Sequence, residues 1–155
     1  DFIGAKVLLS QDNKTKSLEV LKKIIQQNDK VYSPLSLFLI IDRDLEANKK
    51  DVIKYFDQVL SIKSLEKEDR NLLKLKKAIF ISGDAEENDL LNLLNPILNS
   101  NSVWKYQSLK FIGDYYFDKK EYNKAKQYYS DILMLDNTNN DIKDINRKIK
   151  IINNG

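Results

Sequence analysis

Apolar residues along the chain recur at three- and four-residue spacing, the period of a helix with one face to bury. The clearest stretch runs from Trp104 to Asn139. A first helix over about 102–118 carries Leu109, Ile112, Gly113 and Tyr116 on one stripe. A second over about 121–135 carries Tyr122, Ala125, Tyr129, Ile132 and Leu133. The polar DKKEY between them is short, which makes the two helices antiparallel neighbours. Gly113 and Ala125, one on each helix and twelve residues apart, permit close approach.

The same periodicity predicts helices elsewhere. They fall over 2–10 (Ile3, Ala5, Leu8, Leu9), 15–28 (Leu18, Leu21, Ile24, Ile25) and 49–62 (Val52, Ile53, Phe56, Val59, Leu60). Between the last two, Ser33-Pro34 reads as a capping hydroxyl followed by a first-turn proline, opening a helix to about Ala47. That helix is so apolar that burial on more than one side is expected. SLEKED opens a fifth helix from 64 to about 82, closed by Gly83-Asp84, and a sixth spans 86–99. Pro96 in the sixth removes a backbone donor and predicts a kink or a short last turn. A final helix over 140–153 directs Ile142, Ile145, Ile149 and Ile152 inward, with Lys143, Arg147, Lys148 and Lys150 outside. This is the form of a solvating cap.

The elements repeat. The position of Ala125 has counterparts at Leu90, Val52 and Ser17, at separations of 35, 38 and 35 residues. Large apolar residues follow four later at Tyr129, Leu94, Phe56 and Leu21, and the first-helix small position maps to Gly113, Ala78, Ile40 and Ala5. Four antiparallel helix pairs plus a cap, in one all-α domain over 1–155, are the simplest account.

Composition narrows the chemistry. The 155 residues carry 26 basic and 23 acidic side chains, a net +3. That near-balance lacks the concentrated basic surface nucleic acid requires, so no nucleic acid partner is predicted. Without Cys or His, thiolate chemistry, disulfides, His-based triads and the commonest metal ligand are excluded. The longest apolar run, LSLFLII at 35–41, is too short to cross a bilayer. Asp84, Glu86, Glu87 and Asp89 cluster in one loop, and Asp136 and Asp141 bracket another. Neither group has the alternating oxygens and closing Glu of a calcium loop, and helix-start charges explain them better. Lys76-Lys77, Lys119-Lys120 and 148–150 read as solvated faces. No catalytic residue, metal site or cofactor is predicted.

The stretch 104–139 resembles a tetratricopeptide repeat. Leu109 stands where that family has Trp. Ile112-Gly113 matches its Leu-Gly pair, Tyr116 its first Tyr, and Tyr122, Ala125 and Tyr129 its second helix; Asp136 matches the Asp near the repeat end. Ile132 in place of Ala and Asn137 in place of Pro depart from the pattern, the latter implying a looser exit. Over nearly the whole chain, SPLSLFLI, EDRNLLKLKKAIF and the segment from Asn95 to Leu133 are similar to a bacterial periplasmic family related to the ancillary subunit of the Sec translocon. Members carry one N-terminal transmembrane helix before a helical-repeat domain, so the chain is expected to be a fragment lacking that anchor.

The resemblance implies a non-catalytic scaffold at the periplasmic side of a bacterial inner membrane. Its partners would be translocon subunits, exported chains or periplasmic chaperones. Groove positions carried over from the family are Gln107, Lys110, Asp114, Phe117 and Asp118 in the last repeat. They are Leu72, Leu75, Ile79 and Ser82 in the third, and Leu37, Ile41 and Asp44 in the second. Such a wall suits an extended or helical apolar peptide. Leu37 and Ile41 replace the charged clamp of the carboxylate-binding subclass, so that activity is not expected. Either a partner or another part of the chain, such as the cap helix, could fill the groove. Alternatives are a scaffold subunit of another envelope complex, a cytosolic adaptor, or an enzyme using the acidic loops.

An aromatic cluster comprises Trp104, Tyr106, Phe111, Tyr115, Tyr116, Phe117, Tyr122, Tyr128 and Tyr129. Tyr116, Tyr122 and Tyr129 are expected in the core. Tyr115 and Phe117, which fall off the stripe, are expected on a binding surface.

Overall fold

The structure is a computed structural model that describes residues 1–135 and 142–155. Among them the chain is all-helical, with no strand. The helices are α1 (Phe2–Ser10), α2 (Lys14–Gln26), α3 (Tyr32–Asp42), α4 (Lys49–Leu60), α5 (Lys67–Ile81), α6 (Glu87–Leu98), α7 (Lys105–Asp118), α8 (Tyr122–Leu133) and α9 (Lys143–Asn154). Asp136, Asn137 and Asp141 lie outside the described residues, as does the expected helix start at 140. The sequence predicts one repeat domain. The packing divides the chain into two compact units, Asp1–Lys77 and Ala78–Gly155, with the division falling inside α5.

In the first unit α1 packs on α2, α2 on α3 and on α4, and α3 on α4. Short polar side chains start these helices. Asp1 accepts from the Gly4 N–H at 2.6 Å, Asn13 from Lys16 at 3.3 Å, and Asn48 from Lys50 at 3.0 Å. Each satisfies a first-turn donor that has no partner within its helix.

Ser33 corrects the expectation made for it. The cap of α3 is upstream: Asp29 accepts from the N–H groups of Val31 and Tyr32 at 2.8 and 2.7 Å. Ser33 is fully buried inside the first turn and donates its hydroxyl to the Ile24 carbonyl at 3.0 Å, closing the last turn of α2. Arg70 does the same for α4, donating to the carbonyls of Leu60 and Ile62 at 2.5 and 2.8 Å. The helix expected to reach Ala47 stops at Asp42. Asp44 takes a positive φ of 48°, and the Leu45 N–H returns to the Ile40 carbonyl. Asp12 and Lys120 end α1 and α7 in the same left-handed turn, with φ of 58° and 60°. In all three the next N–H reaches back five residues, which satisfies a terminal carbonyl.

In the second unit α7 packs most extensively on α8, α6 lies on α7, and α9 lies on α8. Pro96 sits in the last turn of α6, which runs on to Leu98.

The register of the sequence repeat is visible in burial. Ala5, Ile40, Ala78 and Gly113, then Ser17, Val52, Leu90 and Ala125, then Leu21, Phe56, Leu94 and Tyr129 are all buried. The first set and the second are offset by twelve residues at all four positions. A side-chain methyl added to Gly113 would stand 2.6 Å from a ring carbon of Tyr129, so this glycine is the space the ring occupies. Leu133, assigned to the buried stripe, is 43% exposed at the end of α8.

Candidate interaction surface

α7 buries more than one face, and that decides where the candidate residues go. Tyrosines of α7 and α8 fill the second unit. Tyr116 and Tyr129 are fully buried, while Tyr122 is half-buried. Tyr116 stacks on Tyr128 at 5.7 Å between centroids, and Tyr115 meets Tyr116 edge-on at 5.3 Å. Phe117 contacts the rings of Tyr122 and Tyr129 at 5.5 and 6.4 Å. Tyr115 and Phe117 are therefore half-buried members of the aromatic packing.

Lys110, Asp114 and Phe117 lie on one stripe of α7, at the i, i+4, i+7 spacing. α9 covers that stripe. The Asp114 carboxylate accepts from Lys110 and Lys148, both at 2.8 Å, and from the Tyr129 hydroxyl at 2.6 Å. Asp144 of α9 pairs with Lys148 at 3.1 Å, with Lys110 at 3.3 Å and with Arg147. The Lys148 ammonium lies 5.5 Å from the Phe117 ring centre, close enough for a cation–π attraction. Lys148, expected on the solvated side of the cap, has a side chain only 15% exposed because Asp114 draws it inward.

The charges are matched to this geometry. Burial pushes the Asp114 carboxyl up, but hydrogen bonds from Lys110, Lys148 and Tyr129 more than reverse it and leave it below the ordinary carboxylate value. The Arg147 guanidinium, with Lys148 and Lys110, holds Asp144 well below that value. Burial and the Asp114 acceptor together push the Tyr129 hydroxyl far up, so it stays a donor.

A second polar knot ties α6 to α7 and α8. Glu87 accepts from the Tyr116 hydroxyl and from Lys124 at 3.0 Å; Lys124 also pairs with Glu121 at 3.0 Å. The Tyr116 hydrogen bond, followed by Lys124, keeps Glu87 below its ordinary value.

The remaining groove candidates divide by unit. In the first, Leu37 and Leu75 are core residues at 0% and 4% exposure, so they are not presented to a partner, while Ile41 and Leu72 are half-buried. In the second, Ile79 is 49% exposed and Gln107 is exposed. Helical periodicity places Leu37 and Leu75 on an apolar stripe but cannot say which neighbour covers it.

Two clefts have no counterpart in the sequence reading. One of about 420 Å³ in the second unit is lined by Asn95, Asn99, Lys105, Tyr128, Asp131 and Met134, among others. One of about 310 Å³ in the first unit lies between Phe2, Ile3, Ile24 and Tyr32. Their walls come from helix ends, where no periodic signal marks a shared surface. Among the described residues no group of acidic side chains is arranged to hold a metal ion, and no helix is long and apolar enough to cross a membrane.

Comparison of the chain with family models, with curated proteins and with solved structures finds no match.

Proposed function

We propose that the chain is a non-catalytic protein–protein interaction module of the tetratricopeptide type, binding a partner segment along its first helices. The partner assigned to it is a translocon subunit, an exported chain or a periplasmic chaperone. The observation that carries this reading is recurrence: three sets of four positions, in register with the sequence repeat, are all buried. A chain built that way keeps the residues between the buried stripes for contact, and Ile41 and Ile79 lie there. Glu87, one of the four carboxylates of the first acidic loop on which an enzyme reading would draw, is occupied by Tyr116 and Lys124.

Photo-crosslinking in the native membrane tests the proposal, with the probe placed singly at Ile41, Ile79 and Gln107. Controls carry it at the exposed positions Lys54 and Gln127. Adducts with translocon subunits or exported chains from the first three positions, and not from the controls, are expected. Adducts with an unrelated envelope complex would transfer the module to that assembly. Silence at all three positions would sink the groove reading.

A further inference from the structure

α9 is held in the second unit by an uneven set of contacts. Ile145 is its one fully buried side chain among the described residues, and Ile149 and Ile152 are half-buried. Ile142 and Ile151 remain 40% and 44% exposed. Much of the hold is polar: Lys148 to Asp114, Lys110 to Asp144, and the Lys126 ammonium to the Asn153 side-chain oxygen at 2.8 Å. A twelve-residue helix has little stability on its own in water, so α9 forms because it is docked. It lies on α8, and its Asp144 and Lys148 reach the α7 stripe of Lys110, Asp114 and Phe117, three of the residues the sequence assigns to partner binding.

We propose that α9 is an exchangeable intramolecular ligand, filling a helix-binding face of α7 and α8 from which a partner's amphipathic helix displaces it. The inference rests on the interaction-module reading. The chemistry of the occupant is set by what α9 presents: apolar residues at i, i+4 and i+7, as Ile145, Ile149 and Ile152, with a lysine at i+3, as Lys148. The lysine matters because Asp114, already fixed by Lys110 and Tyr129, is a half-buried acceptor aimed at it. Membership of the same chain gives α9 a high effective concentration, which weakens any competitor by a corresponding factor. Release of α9, or a partner helix that matches it better, then exposes the face.

The probe is a fluorescein-labelled synthetic peptide of residues 142–155. The receptor is the full chain, unaltered or carrying Ile145→Asp to undock its own α9. Fluorescence anisotropy is expected to show the peptide binding the variant at least about tenfold more tightly than the unaltered chain. A peptide carrying Lys148→Glu is expected not to bind. Equal affinity for both receptors overturns the proposal, as does indifference to Lys148→Glu. So does no binding by an Ile145→Asp chain that still melts cooperatively. Hydrogen exchange on the unaltered chain decides the matter if that variant does not fold. Amides of α9 protected about 100-fold less than those of α7 and α8 support exchange, and equal protection overturns it. Peptide binding with silent crosslinks at Ile41 and Ile79 would leave the α9 site standing and remove the wider interaction role.

Discussion

The α1–α2 pair in the first unit and the α7–α8 pair in the second solve one packing problem with different chemistry. Both bring helices together at positions twelve residues apart, Ala5 with Ser17 and Gly113 with Ala125. In the first pair the contact is sealed by a buried hydrogen bond, the Ser17 hydroxyl donating to the Ala5 carbonyl at 2.9 Å. In the second it is sealed by a ring: Gly113 vacates the space that Tyr129 fills, and the tyrosine hydroxyl reaches Asp114. The repeat position therefore specifies size and burial and leaves the means of closure open. The outer faces differ as well. Ile3 and Val7 of α1 are 72% and 48% exposed, whereas α7 has its stripe covered by α9.

Substitutions can break this comparison, and the largest effect is expected at Tyr129. Tyr129→Ala removes a fully buried ring and should cost about 3–5 kcal/mol in urea unfolding. A loss below 1 kcal/mol would mean the ring is not the seal. Gly113→Ala should follow, at about 1–2 kcal/mol net. The added methyl meets a ring pinned by Asp114, and the gain in helix propensity offsets only part of that overpacking. A neutral or stabilising Gly113→Ala would show that the two helices can separate freely.

The hydrogen-bonded seal should be worth less. Ser17→Ala is expected to cost about 1 kcal/mol, because it deletes the donor to the Ala5 carbonyl. Ser36→Ala sharpens the point. That hydroxyl is buried with no partner among the described residues, so its removal should be neutral or stabilising. Equal losses for the two serines would assign the Ser17 effect to packing alone. Lys120→Gly, in the left-handed turn between α7 and α8, should gain about 0.5–1 kcal/mol by relieving backbone strain, read as a higher urea midpoint.

Acid should act on the α9 contact most gradually. Asp114 faces Lys110, Lys148 and Tyr129, and Asp144 faces Arg147, Lys148 and Lys110; both carboxyls are held below their ordinary value. A depressed carboxylate stabilises the fold fully above its unfolded pKa, about 4, and loses that contribution as pH falls through the folded value. The melting temperature should thus be flat from about pH 5 to 8 and decline below about pH 4. Asp114→Asn should shrink the decline, and an unchanged acid limb in that variant would remove Asp114 as a cause.

Helix existence and order were legible in the chain because an apolar stripe at helical spacing is a local signal. The repeat positions were legible too, down to Ser17 and Ile40, where residue type alone would not have suggested equivalence. Boundaries were less so. The end of α3 at Asp42 depends on a left-handed Asp44, a conformation the residue tolerates without announcing it. Among the candidate site residues, Leu37 and Leu75 failed as surface because an apolar position on a helix looks the same whether a neighbour or a partner covers it. Tyr115 and Phe117 are half-buried because a helix with neighbours on several sides packs rings that lie off its main stripe.

The sequence by itself determined an all-helical chain, the packing of such neighbours as α1 on α2 and α7 on α8, and the register in which small and large residues recur. These follow from spacing, turn length and side-chain volume, which act between residues close in the chain. Only the tertiary structure decided what closes each pair and what lies over α7. Whether Ser17 finds a carbonyl, whether Tyr129 finds Asp114, and whether Lys148 turns inward all depend on groups brought together from distant positions. Charge and hydrogen bonding act through that proximity, which the order of residues does not express.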